Sequence, residues 1–451
     1  MKVLLNAVVS SLLALLLALP ARTQNKPPFR EVVRAFFQRY DFDRDNPLII
    51  SFQKRKEGWF TAVQNMMDPG HYDNAELFWS AERSGYLPLH YPLKQDTSEK
   101  NVEAEINEYY RVTGNDWHTE YDYQRCLYFG YPDWAKDLIK DVGERAQLND
   151  TLIEGLARAH AHVALDLLSG SKPDASAKYA FIANENKAIS LYKRLRSQYP
   201  DYSTIVGNIA AKYANEYLWA SLLLQINGYS TEANEFLQPG IYPDSLLQTA
   251  RGYFEKLEKG SILVSSSDND LFPLLYLQQY EHYRPDVLVL SYSLLAEGKY
   301  VAWLDNAHDG KLFHTRPEVY QKRNFDYAMY NDKDTCTTPV PAGIFLDSVN
   351  TSARWTEGKY PEKEMSFWDT TRQYHCKDVL VPIRPSAINR RSPYTVKLKL
   401  GQYLLMNDFI LLDILNTDQG RHTFYFTVST DHPIFDPHLV QKEKVYQLGT
   451  D

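Results

Sequence analysis

The sequence is poor in cysteine and lacks the spacings that place cysteines or histidines around a metal ion. It has three cysteines in 451 residues and no Cys-x-x-Cys pair. His160 and His162 are two positions apart, whereas paired zinc-binding histidines on a helix are spaced about four apart. We therefore expect no metal and no cofactor. Cys336 and Cys376 flank one irregular stretch, which leaves open either a disulfide between them or two free, partly buried thiols.

The motifs of several enzyme and nucleic-acid-binding classes are also absent. The chain contains no glycine-rich phosphate loop and no nucleophile elbow. A formal net charge of -8 and the lack of a long basic run argue against nucleic acid as a partner. A Ser/His/Asp triad needs no fixed spacing, so the sequence leaves open a catalytic site that is assembled only in space.

Long hydrophobic runs are absent after the amino-terminal segment, which predicts no transmembrane segment in the mature chain. Residues 1–23 combine Lys2, an apolar stretch and Pro20, and a polar run follows them. This order is typical of a secretory signal peptide, and a retained membrane anchor is the alternative. We expect an exported protein of the periplasm or the outer cell envelope.

The sequence does have strong helical patterning ahead of a mixed part. Residues 24–145 are rich in aromatic and charged side chains, and we predict a mainly helical region there. Residues 146–258 repeat apolar side chains at helical spacing, with tight turns such as Asn227-Gly228. Paired helices of this kind are loosely similar to tetratricopeptide repeats, and a generic helical bundle fits nearly as well. Either arrangement favours docking of a protein partner, or packing, over chemistry.

Residues 259–451 predict a C-terminal α/β domain with a partly parallel sheet, so the fold class of the whole chain is α+β or α/β. Residues 261–265 and 287–290 are short apolar runs typical of buried strands, and residues 271–282 between them have a helical pattern. Strand, helix and strand in this order predict a βαβ unit with parallel strands. We predict an irregular insertion at about residues 301–390.

The candidate site lies where the first of these strands meets the helix, at Asp268, Asn269 and Asp270. Open α/β sheets bind ligands at that edge, so one interpretation is a ligand or metal site whose charge is balanced by Arg284 or Arg421. The other interpretation is structural, because carboxylates cap helix N–H groups and favour the positive end of the helix dipole. The sequence favours the structural interpretation. An Asp-x-Asp pattern is too short to indicate a metal site by itself.

Two segments resemble a family of bacterial, mostly Bacteroidetes-type, membrane proteins that are similar to protein O-mannosyltransferases. They are SILVSSSDNDLFPLLYLQQYEHYRPDVLVLSYSLL at residues 261–295 and DFILLDILNTDQGRHTFYF at residues 408–426. The chain departs from the family pattern at Ser267, Leu271 and His422, where the family has Gly, Thr and Pro. In that family, glycosyl transfer is assigned to a multi-span membrane domain. The resemblance therefore implies the soluble, extracytoplasmic accessory module without the membrane catalyst.

Two functions follow from these observations. The first is an exported, non-catalytic envelope protein with a binding or scaffold role. Its helical part would dock a protein partner, and its α/β domain would bind a glycan or other small molecule or support an assembly. The alternative is a secreted enzyme that acts on glycans or glycoconjugates. In that case Asp268 and Asp270 would serve as acid and base, because two close carboxylates in a cleft can acquire different pKa values.

Overall fold

The protein is described by a computed structural model, which divides into two compact units, Met1–Asp166 and Leu167–Asp451. The predicted signal peptide and Cys126 lie outside the described residues. The structure describes residues 26–27, 29–41, 48–55, 57–65, 72–112, 134–143, 145, 147–169, 175–204, 207–321, 327–332, 335–352, 372–384, 394–428 and 434–449.

The region predicted to be mainly helical, residues 24–145, also contains an antiparallel sheet. Its elements in chain order are α1 (Phe29–Phe37), β1 (Leu48–Arg55), β2 (Gly58–Asn65), β3 (Tyr72–Ser80), β4 (Gly85–Tyr86), α2 (Glu99–Val112) and α3 (Trp134–Val142). The strands pair antiparallel in the order β1-β2-β3-β4. Phe36, Trp59 and Phe78 are fully buried in the core of this unit. The prediction of a mainly helical region is therefore corrected for residues 48–86.

The first hairpin of this sheet depends on Gly58. This glycine opens β2 with a φ of 148°, and a Cβ atom there would lie 1.8 Å from the backbone oxygen of Trp79. Only glycine tolerates this conformation and this approach. The buried Ile50 and Phe52 alternate along β1, but the charged residues 54–57 that follow obscure the period-two pattern in the sequence.

The described part of residues 146–258 is mainly helical and contains one short hairpin. The elements are α4 (Asp150–Ser169), α5 (Ala175–Gln198), the short hairpin β5 (Ser203–Thr204) and β6 (Gly207–Asn208), α6 (Ile209–Ile226), α7 (Ser230–Glu235) and α8 (Asp244–Phe254). Helix α6 begins at a side-chain cap, because Asn208 Oδ1 accepts a hydrogen bond from the Ala210 N–H at 2.7 Å. It packs against α5 and α7, and Leu218 and Leu222 join the core of the second unit.

The remaining part of the second unit mixes strands and helices. Its elements in chain order are β7 (Ile262–Ser265), α9 (Asp268–Gln279), β8 (Leu288–Ser291), α10 (Gly298–Ala307), α11 (Pro317–Gln321), β9 (Tyr327–Tyr330), β10 (Val340–Pro341), α12 (Ala342–Ser352), β11 (Arg372–Tyr374), β12 (Asp378–Ile383), β13 (Tyr394–Lys399), β14 (Tyr403–Leu405), α13 (Met406–Asp418), β15 (Phe424–Phe426), β16 (Leu439–Lys442) and β17 (Val445–Leu448).

The predicted βαβ unit is present in a five-stranded sheet of order β16-β17-β15-β7-β8. Strands β7 and β8 pair in parallel, with Ile262 opposite Leu288, and β15 lies parallel to β7 on its other side. Strand β17 is antiparallel to β15, and β16 pairs antiparallel with β17 at the edge of the sheet. All four residues of β7 are buried, as expected for a strand covered on both faces. The predicted α+β class with a partly parallel sheet is confirmed.

The predicted irregular insertion, residues 301–390, holds more regular structure than expected. Its strands contribute to two three-stranded sheets, of order β10-β12-β13 and β11-β9-β14. A disulfide joins Cys336 to Cys376, whose Cα atoms are 4.9 Å apart. It joins the segment that follows β9 to the segment that precedes β12.

Among the described residues, every helix is too short or too polar to cross a membrane.

Candidate functional site

The predicted site segment forms the first turn of α9, at the carboxyl end of β7. Ser267 caps this helix, because its Oγ accepts a hydrogen bond from the Asp270 N–H at 3.3 Å. The same hydroxyl donates a hydrogen bond to Asp270 Oδ2 at 2.9 Å. The two carboxylates of the turn, Asp268 and Asp270, lie near the positive end of the helix dipole, where negative charge is favourable. The segment therefore lies at the carboxyl end of a parallel strand, as the βαβ prediction implies.

The Asp270 carboxylate connects three elements of the fold. Besides Ser267, it accepts hydrogen bonds from the hydroxyl of Tyr253 at the end of α8 (2.9 Å) and from that of Thr427 after β15 (3.3 Å). Burial raises the pKa of the Tyr253 hydroxyl, and the charge of Asp270 raises it further, so Tyr253 stays a donor. Three hydroxyl groups therefore donate hydrogen bonds to the Asp270 carboxylate, an arrangement that is typical of a structural joint, meaning a side chain that holds several elements of the fold together.

Asn269 connects the same helix to α6. Its Oδ1 accepts a hydrogen bond from Asn215 Nδ2 at 2.9 Å, and Asn215 Oδ1 accepts one from the Tyr242 hydroxyl at 2.7 Å. Asn215 and Tyr242 are both buried. Because buried polar groups need partners, this chain of side chains fixes α9 against the helical region.

Asp268 differs from its two neighbours, because its carboxylate makes no hydrogen bond with the described residues. It lies near Lys212 and Glu216 of α6, which are joined by a 2.6 Å ion pair. Loss of hydration raises the pKa of Asp268; Lys212 lowers it and Glu216 raises it. Glu185 of α5 is fully buried beside the same pair, and burial, followed by the charge of Glu216, raises its pKa well above the usual range.

Arg284 lies at the opposite, amino-terminal edge of the sheet, shortly before β8. Its guanidinium donates to the backbone oxygens of Phe254 (2.6 Å), Leu257 (3.2 Å) and Glu258 (3.1 Å). It also forms a fork with the carboxylate of Asp286, at 2.9 and 3.0 Å. That contact holds the pKa of Asp286 down at about 2. Arg284 therefore fastens the loop after α8 to the start of β8.

Arg421 lies at the same amino-terminal edge, shortly before β15. Its guanidinium donates to the backbone oxygens of Asp418 (2.8 Å) and Thr417 (2.9 Å), and so satisfies the last turn of α13. Neither arginine lies with the Asp268–Asp270 turn, because strand β7 separates the two edges of the sheet. The structure corrects the expectation that Arg284 or Arg421 balances the charge of that turn.

A groove on the helical region was not predicted from the sequence. This tyrosine groove, a cavity of about 410 Å³, is lined by Arg196, Tyr213, Tyr217, Glu235, Phe236 and Gln238, among others. The Tyr213 and Tyr217 hydroxyls are 3.2 Å apart, and the Arg196 guanidinium lies 5.3 Å from the Tyr213 ring centroid. Tyrosine suits half-buried surfaces of this kind, but the 33 tyrosines of the sequence do not by themselves show where such a surface forms.

The described part of the chain contains no cluster of three or more metal-ligating side chains. Lys212 supplies a positive charge near the Asp268 carboxyl, lowers its pKa and forms an ion pair with Glu216.

Residues 246–446 match the family model described as TMEM260-associated domain 2. This range runs from α8 to β17 and includes both segments that resemble the bacterial membrane-protein family. The match is consistent with a TMEM260-like family for this part of the chain. No curated protein and no solved structure matches the chain.

Proposed function

We propose that the chain is an exported, non-catalytic envelope protein with a binding and scaffold role, resembling the extracytoplasmic accessory module of a membrane glycosyltransferase family. The observation that carries this proposal is that two of the three residues of the Asp268–Asp270 turn, Asn269 and Asp270, are held by hydrogen bonds within the fold. Asp270 accepts three hydroxyl donors and Asn269 is held by Asn215, so the edge of the sheet serves as a joint. A pair of unencumbered carboxylates, which acid–base catalysis needs, is not formed there.

Export rests on the order of charged, apolar and polar residues in the first 23 positions. Cleavage after Thr23 would make Gln24 the first residue of the mature protein. Amino-terminal sequencing of the natural protein tests this, and a protein that retains Met1 would contradict export by cleavage.

The helical region is proposed to dock a protein partner through the tyrosine groove. Tyrosine and arginine are enriched at protein interfaces, because they combine apolar contact area with hydrogen-bonding ends. Arg196 and Glu235 line the groove with opposite charges. The complementary partner segment is therefore an extended peptide that carries one acidic and one basic residue around an apolar side chain. The same mixture of aromatic rings, donors and acceptors would also suit a glycan.

Charge reversal at Arg196 is expected to remove partner binding. The mature protein serves as bait in an envelope extract, and cross-linked partners are identified by mass spectrometry. Arg196→Glu should lower recovery of the partner by about tenfold or more, because it replaces attraction with repulsion at the interface. Lys193→Glu makes the same charge change at an exposed position of α5 outside the groove, and it should leave recovery unchanged.

A partner recovered equally with wild type and Arg196→Glu would contradict docking in the groove, as would recovery of no protein at all. If a glycan were recovered in place of a protein, the groove would be a carbohydrate-binding site, and the proposal of a non-catalytic protein would still hold.

The alternative, a secreted enzyme acting on glycans or glycoconjugates, is favoured by one observation only. The Asp268 carboxyl has a raised pKa and no hydrogen bond within the described residues, as a general acid would. We expect the purified protein to show no hydrolysis of a glycan panel, and Asp268→Asn to change nothing. Turnover that falls by about a hundredfold or more in a folded Asp268→Asn protein would establish the enzyme instead.

A further inference from the structure

A second concave site lies at the amino-terminal edge of the five-stranded sheet, away from the Asp268–Asp270 turn. This amino-edge cleft has a volume of about 310 Å³. Its apolar lining comes from Ile262 of β7, Leu288 of β8, Leu312 after α10 and Ile414 of α13. The volume is near the lower end of the range of about 300 to 1,000 Å³ that is usual for small-molecule sites.

The polar lining of the cleft is mostly basic. Lys311 and Arg421 line it with the imidazoles of His308 and His422 and the carboxylates of Asp286 and Asp418. Burial lowers the pKa of His308, which favours its neutral form. Both carboxylates are already used inside the protein. Asp286 is held by the Arg284 guanidinium, and Asp418 lies 2.5 Å from His422 Nδ1 and also accepts the His422 N–H at 3.0 Å.

Three of the basic side chains have donor atoms that a ligand can reach. Lys311 is 77% exposed, and among the described residues its ammonium group pairs only with Asp309, at 3.6 Å. The contact between His422 Nδ1 and Asp418 leaves the other ring nitrogen, Nε2, as the one that can bond a ligand. Arg421 uses Nε and Nη2 on backbone oxygens, which leaves Nη1 without a hydrogen bond to the described residues. Its guanidinium is thereby fixed in place at the cleft.

We propose that the amino-edge cleft binds a small organic anion, in which a phosphate monoester or carboxylate is attached to a compact apolar body. The apolar body would contact Ile262, Leu288 and Leu312. The anionic oxygens would meet Lys311, Arg421 and His422, since charge-assisted hydrogen bonds to fixed donors are the stronger kind. This site lies in the part of the chain that matches the domain family, and it does not depend on partner docking by the helical region.

The binding test uses the mature wild-type protein and three probes with one ring in common, phenyl phosphate, phenylacetate and neutral benzyl alcohol. Calorimetric titration should show binding of at least one of the two anions, with benzyl alcohol about tenfold weaker or undetectable. The anion that binds more tightly then shows whether the site prefers a ligand that carries a phosphate or one that carries a carboxylate. Added salt should weaken anion binding, because Lys311 is solvent-exposed.

Two substitutions locate the binding. Lys311→Gln alters only an exposed side chain, so it should leave the fold unchanged and weaken anion binding by about threefold to tenfold. His422→Gln should weaken it by a similar factor. Lys399→Gln removes an exposed lysine of β13 that does not line the cleft, and it should bind like wild type.

Equal binding of benzyl alcohol and the anions would overturn the proposal, because the cations would then contribute nothing. The absence of binding by either anion would overturn it too. Anion binding that is unchanged in both folded variants, Lys311→Gln and His422→Gln, would place the anion elsewhere and equally reject the cleft.

Discussion

Arg284→Ala is expected to lower the free energy of unfolding of the second unit by about 3 kcal/mol, since hydrogen bonds to charged groups contribute about 1.5 to 3 kcal/mol each and are not additive. The guanidinium satisfies the backbone oxygens of Phe254, Leu257 and Glu258 and a carboxylate at the same time. Its removal leaves half-buried acceptors without donors where α8 ends and β8 begins. Chemical denaturation followed by tyrosine and tryptophan fluorescence measures the change.

Two further variants separate geometry from charge. Arg284→Lys keeps the positive charge but cannot form the planar fork, so it should recover only part of the loss. Arg251→Ala removes a surface pair with Glu281 and should cost less than about 1 kcal/mol. If Arg284→Ala lowered the free energy of unfolding no more than Arg251→Ala does, the structural role assigned to the Arg284 guanidinium would be contradicted.

Asp408→Asn is expected to stabilise the protein at neutral pH and to remove part of its pH dependence. Asp408 is 4% exposed in α13 and accepts the Tyr292 hydroxyl at 2.5 Å. Burial raises its pKa from 3.8 to about 6, and nearby Asp436 adds to the effect. The Asp408 carboxyl ionises at a lower pH in the unfolded chain than in the folded chain. The free energy of unfolding of the wild type should therefore fall as the pH rises from 3.8 to about 6, and it should stay low above that pH.

The size of this effect follows from the pKa difference. At 1.36 kcal/mol per pKa unit, ionisation of Asp408 costs on the order of 3 kcal/mol above about pH 6. Asn keeps an oxygen for the Tyr292 hydroxyl and never ionises, so Asp408→Asn should gain stability above pH 6 and match wild type near pH 4. Unfolding midpoints measured across this pH range test the prediction.

Asp378→Asn, at a surface carboxylate beside Lys397, is the control and should retain the wild-type dependence of stability on pH. An Asp408→Asn protein that is less stable than wild type at neutral pH would contradict a costly buried charge.

The βαβ unit could be predicted from the sequence because its signals are local. Apolar runs at residues 261–265 and 287–290, with a helical pattern between them, define two buried strands and their connection. The pairing of β7 with β15 could not be predicted, because it joins segments about 160 residues apart and depends on packing of the whole domain. The amino-terminal sheet was missed for a local reason. Charged residues at 54–57 conceal the hairpin that Gly58 opens.

The place of the Asp268–Asp270 turn in the sheet follows from the sequence, but the side chains that contact it do not. Asp268 to Asp270 follow β7, so their place at the carboxyl end of the strand is fixed by chain order. Arg284 and Arg421 precede β8 and β15, and residues that precede parallel strands lie at the opposite edge. Their separation from the aspartates therefore follows from the predicted topology itself. The partners Tyr253, Asn215 and Thr427 come from three other elements and carry no sequence signal of their own.

The structural role of the Asp268–Asp270 turn is tested most directly by a double-mutant cycle between Tyr253 and Asp270. Unfolding free energies are measured for wild type, Tyr253→Phe, Asp270→Ala and the double variant. If Asp270 is a joint, the two changes should be coupled by about 1 to 2 kcal/mol, because each single change removes the same 2.9 Å hydrogen bond. Strictly additive changes, within about 0.3 kcal/mol, would mean that the carboxylate does not hold the fold together at this edge, and would return Asp270 to the candidates for chemistry.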